Sequence, residues 1–87
     1  MKDLELNVCR VCGLQQEFPW GETGKDPSWC ICECCGVEFG YEDCQLTSIR
    51  NYRDAWIQSG AKWWNEKSKP DNWILEEQLK NIPSQFL

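Results

Sequence analysis

Polar and apolar residues alternate along Asp3-Leu4-Glu5-Leu6-Asn7-Val8, the period-two pattern of a half-buried strand that would end at Cys9. The alternation returns in Val37-Glu38-Phe39-Gly40-Tyr41-Glu42 and predicts a second strand. Residues 18 to 28 between them are dense in Gly, Pro, Asp and Ser, so they read as a loop or irregular hairpin tip with Trp20 and Trp29 flanking its centre. From about Leu46 the period lengthens: Ile49, Tyr52, Ala55 and Trp56 fall at helical spacing, Thr47 and Ser48 are candidate caps, and Gly60 is the expected stop. A second, shorter helix is predicted from about Asp71 to Asn81, with Pro70 near its start, acidic Asp71 in its first turn and Leu75, Leu79 and Ile82 on one stripe. The predicted fold class is α+β: a small antiparallel sheet packed on two C-terminal helices through Val37, Phe39, Trp56, Trp73 and Leu79.

With 87 residues the chain is one expected domain, residues 1 to 87, too short to bury much apolar surface without a staple. Its seven cysteines all lie at or before Cys44. Charged Lys2, Asp3 and Glu5 stand where a signal peptide would be apolar, and no apolar run is long enough to cross a bilayer, so a cytoplasmic protein is expected. There a disulfide framework would not persist, and an odd number of cysteines cannot all pair within one chain. A metal site is the better reading of this half.

Cys9-Arg10-Val11-Cys12-Gly13 and Cys32-Glu33-Cys34-Cys35-Gly36 each space two thiols so that both sulfurs can face one ion, and each places after them a glycine able to take the positive φ of a tight turn. Cys9, Cys12, Cys32 and Cys35 are the candidate ligands of one tetrahedral ion, with zinc expected. Cys30 and Cys34 could substitute after a shift of register, but Cys32 and Cys35 have the normal knuckle spacing. That leaves Cys30, Cys34 and Cys44 as free thiols, read as small packing or surface residues ahead of a redox role. Residues 1 to 44 are then a zinc-ribbon-like half and residues 45 to 87 a helical half packed on it. Four thiolates leave no open position for water or substrate, and the sequence has no histidine to act as a general base, so no enzyme is expected. The rival cofactor is iron: rubredoxins also hold their ion with two C-x-x-C-G knuckles in an acidic, aromatic-rich domain. They normally carry Pro where this chain has Glu33, and they lack a helical extension of this length.

The formal charge of −5 is unevenly spread: residues 1 to 44 carry three basic and nine acidic side chains, residues 45 to 87 six basic and five acidic. A tetrathiolate site around a divalent ion adds further negative charge to the first half, which would repel a phosphate backbone. No nucleic acid and no membrane partner is expected; an acidic face suits a basic protein. Six tryptophans are present, and the adjacent pair Trp63-Trp64 cannot place both rings in one core, so one is expected at the surface as a partner anchor.

The N-terminal C-x-x-C-G, the stretch Trp-Cys-Ile-Cys-Glu-Cys-Cys-Gly-Val-Glu-Phe-Gly-Tyr-Glu-Asp from Trp29 to Asp43, and the tail with Arg53-Asp54-Ala55-Trp56 through Trp63-Trp64 and Glu77-Gln78-Leu79 together resemble the bacterial cysteine-rich CPCC family. The namesake motif stands here as Cys32-Glu33-Cys34-Cys35, with Glu33 in place of the proline. The resemblance implies a zinc-ribbon-like fold and no established activity. The functional expectation is therefore a zinc-stabilised protein-interaction module, with a cognate inhibitor or immunity-type protein as its sharper form.

Overall fold

The computed structural model describes residues 7–16, 18–21 and 23–87. The predicted strand positions Leu4 and Leu6 lie outside these residues.

The long helix, α1, spans Leu46–Gln58 and buries Ile49, Arg53 and Trp56 along one stripe, with Tyr52 half-buried beside them. Thr47 and Ser48 fall inside its first turn. The N-cap is Gln45, whose side chain makes no capping bond, and the Ile49 N–H donates to Gln45 O at 2.9 Å. The other end follows the glycine rule: Gly60 takes φ 109°, the Gly60 N–H donates to Ile57 O (3.0 Å), and the Ala61 N–H reaches back to Trp56 O (2.9 Å). These two bonds form a Schellman motif, which satisfies carbonyls the helix leaves open and turns the chain back toward the cysteines.

The second helix, α2, is shorter than its apolar stripe suggests and spans Leu75–Leu79. Ahead of it a turn bonds the Trp73 N–H to Pro70 O (3.2 Å), and Ile74 is extended at φ −127°. Behind it the chain tightens into i to i+3 bonds, Asn81 N–H to Gln78 O and Ile82 N–H to Leu79 O, before Pro83. Leu75, Leu79 and Ile82 still turn inward, but over a helical turn and a loop rather than over one helix. Short 3-10 turns occupy Glu66–Ser68 and Ser84–Phe86.

Among the described residues the expected antiparallel sheet is not formed, so the α+β zinc-ribbon class is corrected to a largely irregular fold with two helices. Among the described residues pairing is limited to two isolated antiparallel bridges, Val8 with Gln15 and Ile31 with Glu38. The reason is visible beyond the second bridge. Val37 and Phe39 are fully buried as alternation requires, but Gly40 takes φ 92°, the Tyr41 N–H turns back to Glu38 O (3.1 Å), and Tyr41 is left 74% exposed. The extended run ends there and the chain proceeds into α1, whereas a stable sheet needs three or more strands with an apolar face.

One buried cluster joins both halves. Val11, Val37, Phe39, Ile49, Trp56, Ala61 and Trp63 surround Cys9, Cys12, Cys32, Cys34 and Cys35, and Leu14, Tyr52, Trp73, Leu75 and Phe86 pack at its margin. The sulfurs are therefore the middle of the core.

Candidate metal centre

The two knuckles are built by the same hydrogen bonds. In the first, the Cys9 N–H donates to Leu14 O and the Gly13 N–H to Cys9 O, both at 2.9 Å. In the second, the Cys32 N–H donates to Val37 O and the Gly36 N–H to Cys32 O, again at 2.9 Å. The bridges sit at the matching position outside each loop, and Gly13 and Gly36 adopt φ 83° and 81°. A Cβ at either glycine would strike the helical half: Gln78 O at 2.3 Å from position 13, Trp64 Cδ1 at 3.0 Å from position 36.

Folding brings Cys9, Cys12, Cys32 and Cys35 together with all four sulfurs within 4.8 Å of one another and all four side chains buried. Two pairs cross between knuckles at short range, Cys9 Sγ to Cys35 Sγ at 3.8 Å and Cys12 Sγ to Cys32 Sγ at 3.6 Å. An ion about 2.3 Å from each thiolate in a tetrahedron sets sulfur–sulfur edges of about 3.8 Å. The quartet fits one tetrahedral ion and can hold a metal; all seven cysteines are free thiols.

The electrostatics of the protein alone favour this. Burial pushes the Cys12 and Cys35 thiols well above the ordinary range, while hydrogen bonding from Cys12 pulls Cys32 far below it, against the cost of burial. Four buried sulfurs this close cannot all ionise unaided. A divalent cation reverses the balance by making every thiolate favourable.

Beyond the quartet, polar groups of the helical half grip the knuckle backbones. Arg53 of α1 donates from Nε to Val11 O (2.6 Å) and from Nη2 to Arg10 O (2.8 Å) and Phe86 O (2.6 Å). Gln78 of α2 donates from Nε2 to Cys12 O (3.1 Å) and to Cys34 Sγ (3.3 Å), and its Oε1 accepts from Trp73 Nε1 (2.8 Å). The second knuckle receives the Trp64 N–H on Cys34 O and the Asn65 N–H on Glu33 O, both at 2.9 Å, and the Tyr52 hydroxyl on Cys35 O at 3.2 Å. Gln16 Nε2 reaches Cys32 Sγ at 3.6 Å. None of these side chains was predicted for the site. For Arg53 and Gln78 a signal exists, since each is a polar residue on an otherwise apolar helical stripe.

Cys34 is buried beside the quartet, whereas Cys30 and Cys44 are exposed. Trp63 is 6% exposed and meets Trp73 edge to face, with centroids 5.6 Å apart at 85°. Trp64, its neighbour in sequence, lies 61% exposed over Gly36 of the second knuckle.

The chain is similar to YozI, an uncharacterized protein of Bacillus subtilis (strain 168), with 29% identity over an alignment of 84 residues covering 77% of this chain and 69% of the relative. No protein-family model and no solved structure matches the chain. The likeness to the CPCC family therefore rests on the quoted motifs.

Proposed function

We propose that this chain is a protein-interaction module whose shape is held by one zinc ion on Cys9, Cys12, Cys32 and Cys35. The observation that carries the reading is the buried quartet itself, whose cross-knuckle spacings match a closed tetrahedron of soft ligands. A closed site of this kind offers no position for a substrate, which favours a structural ion over an enzyme. The ion would fix the second knuckle, and through it the exposed Trp64 ring, whose backbone is bonded to Cys34 O. An exposed indole whose chain neighbour Asn65 is bonded to Glu33 O, in a protein whose first half is rich in acidic residues, suits a basic protein partner, and an inhibitor or immunity role is the sharper form. Trp63, buried against Trp73, supports the anchor from below.

The test is metal content and the visible spectrum of protein purified without added metal, followed by co-purification of partners with the wild type and Trp64→Ala. One zinc, a colourless solution and a partner lost only from Trp64→Ala are expected. One iron and a red solution would replace the reading with rubredoxin-like electron transfer, and a Trp64→Ala protein that keeps every partner would remove the anchor.

A further inference from the structure

The quartet is closed unevenly. Cys9, Cys12 and Cys32 are fully buried, whereas Cys35 keeps 6% of its surface exposed. Cys35 also lines a cavity of about 290 Å³ between the second knuckle and α1, together with Tyr52, Ala55, Trp56 and Ser59. The donors of this wall are committed: the Tyr52 hydroxyl to Cys35 O, the Trp56 indole N–H to Lys62 O and the Ser59 hydroxyl to Trp56 O. Among the described residues no charged side chain lines the opening. It therefore admits small neutral molecules and offers nothing to hold an ion.

We infer that Cys35 is the modification site of the metal centre, oxidised by hydrogen peroxide entering through this opening, with Cys9 as the resolving thiol. The inference rests on the metal-binding reading above. The Cys35 sulfur attacks one peroxide oxygen; an S–O bond forms, the O–O bond breaks, and the departing hydroxide takes a proton from solvent to leave as water. Cys9 Sγ, 3.8 Å away, then attacks the Cys35 sulfenic sulfur, forming the S–S bond as a second hydroxide leaves and is protonated to water. Two thiolates are oxidised by two electrons and one peroxide is reduced to two waters. A Cys9–Cys35 disulfide removes two of the four donors at once, so oxidation and metal release are one event. Cys12 and Cys32 are closer to each other, at 3.6 Å, but neither can be reached from solvent.

The experiment uses the full chain carrying Cys30→Ser and Cys44→Ser, which removes the two exposed thiols, reconstituted with zinc and assayed for zinc content first. Hydrogen peroxide is added, zinc release is followed with a chromogenic chelator, and the disulfides are mapped by mass spectrometry. The expected result is a Cys9–Cys35 disulfide formed in step with zinc release. Ala55→Leu, which narrows the mouth from an exposed helix position, should slow both several-fold without changing the starting zinc content. Failure to bind zinc at all would overturn the metal reading itself. A zinc-loaded protein in which a Cys12–Cys32 disulfide or an oxidised Cys34 appears first, or in which Ala55→Leu releases zinc at the parent rate, would overturn this inference alone.

Discussion

Replacing Arg53 with methionine isolates the largest polar connection between the helical half and the first knuckle. The guanidinium is buried and makes no ion pair among the described residues; it donates to Val11 O, Arg10 O and Phe86 O at 2.6 to 2.8 Å. Burial lowers its pKa from the ordinary arginine value without neutralising it. Methionine keeps most of the aliphatic stem, so the change removes hydrogen bonds more than packing. Three bonds from a charged donor, at about 1.5 to 3 kcal/mol each, suggest upward of about 5 kcal/mol, from which the relieved desolvation of the cation must be subtracted. A net loss of about 3 kcal/mol is expected, a large part of the roughly 4 to 13 kcal/mol typical of a chain this size. Urea unfolding of the zinc-loaded protein, followed by tryptophan fluorescence, measures it. Arg53→Lys should fall between, since a single ammonium cannot fork across three carbonyls. An unfolding free energy for Arg53→Met within about 0.5 kcal/mol of wild type, the range of an ordinary surface change, would refute the clamp.

Cys9→Ser should lose the metal and much of the fold together, because binding energy at such a site is folding energy; circular dichroism with metal analysis checks this, and a folded, fully metallated Cys9→Ser protein would exclude Cys9 as a ligand. Gly13→Ala should destabilise more than Gly36→Ala in the same urea assay: both force an alanine to positive φ, but the new Cβ meets backbone at 2.3 Å in the first case and a side chain at 3.0 Å in the second. Tyr52 is pushed up to about 12, mainly by burial and then by the nearby Cys35 charge. A folded-state pKa raised above the unfolded value means stability fully present below about pH 10 and lost as pH rises toward 12. In a Tyr41→Phe background the phenolate absorbance should therefore appear near pH 12, and Tyr52→Phe should flatten the alkaline fall in stability.

The knuckles were legible because everything they need is local: two cysteines at fixed spacing, a glycine for the positive φ, and carbonyls within the same loop to close it. Helix α1 was legible for a similar reason, since its buried stripe and its Gly60 stop act over single turns. The split of Trp63 and Trp64 between core and surface followed from adjacency alone. The sheet was misread because alternation in Val37-Glu38-Phe39 reports which side chains are buried, not whether a neighbouring strand exists to complete a ladder. Helix α2 was drawn too long because an apolar stripe can be continued by i to i+3 turns as far as Ile82 and Pro83. Arg53 and Gln78 stand out as polar residues on apolar helical stripes, but that pattern does not name their partners, which are backbone carbonyls and a sulfur more than thirty residues away.

Those distant contacts explain how the two halves hold together although the described residues form no sheet. None of the four quartet cysteines belongs to the helical half, yet that half is bonded to knuckle carbonyls at Arg10, Val11, Cys12, Glu33, Cys34 and Cys35. Such carbonyls point outward for Arg53, Gln78, Tyr52 and the Trp64-Asn65 backbone only while each loop keeps its turn. The two isolated bridges of the described residues are too little to preserve the turns unaided, whereas an ion joining Cys9 and Cys12 to Cys32 and Cys35 would fix both loops and their relative position together. Metal removal should therefore loosen α1 and the Trp63–Trp73 contact as well as the cysteine half. Hydrogen exchange on the chelated protein measures this directly: loss of protection at Ile49 to Trp56 is expected, and an α1 as protected as in the loaded protein would mean that its own packing, not the knuckles, holds it in place.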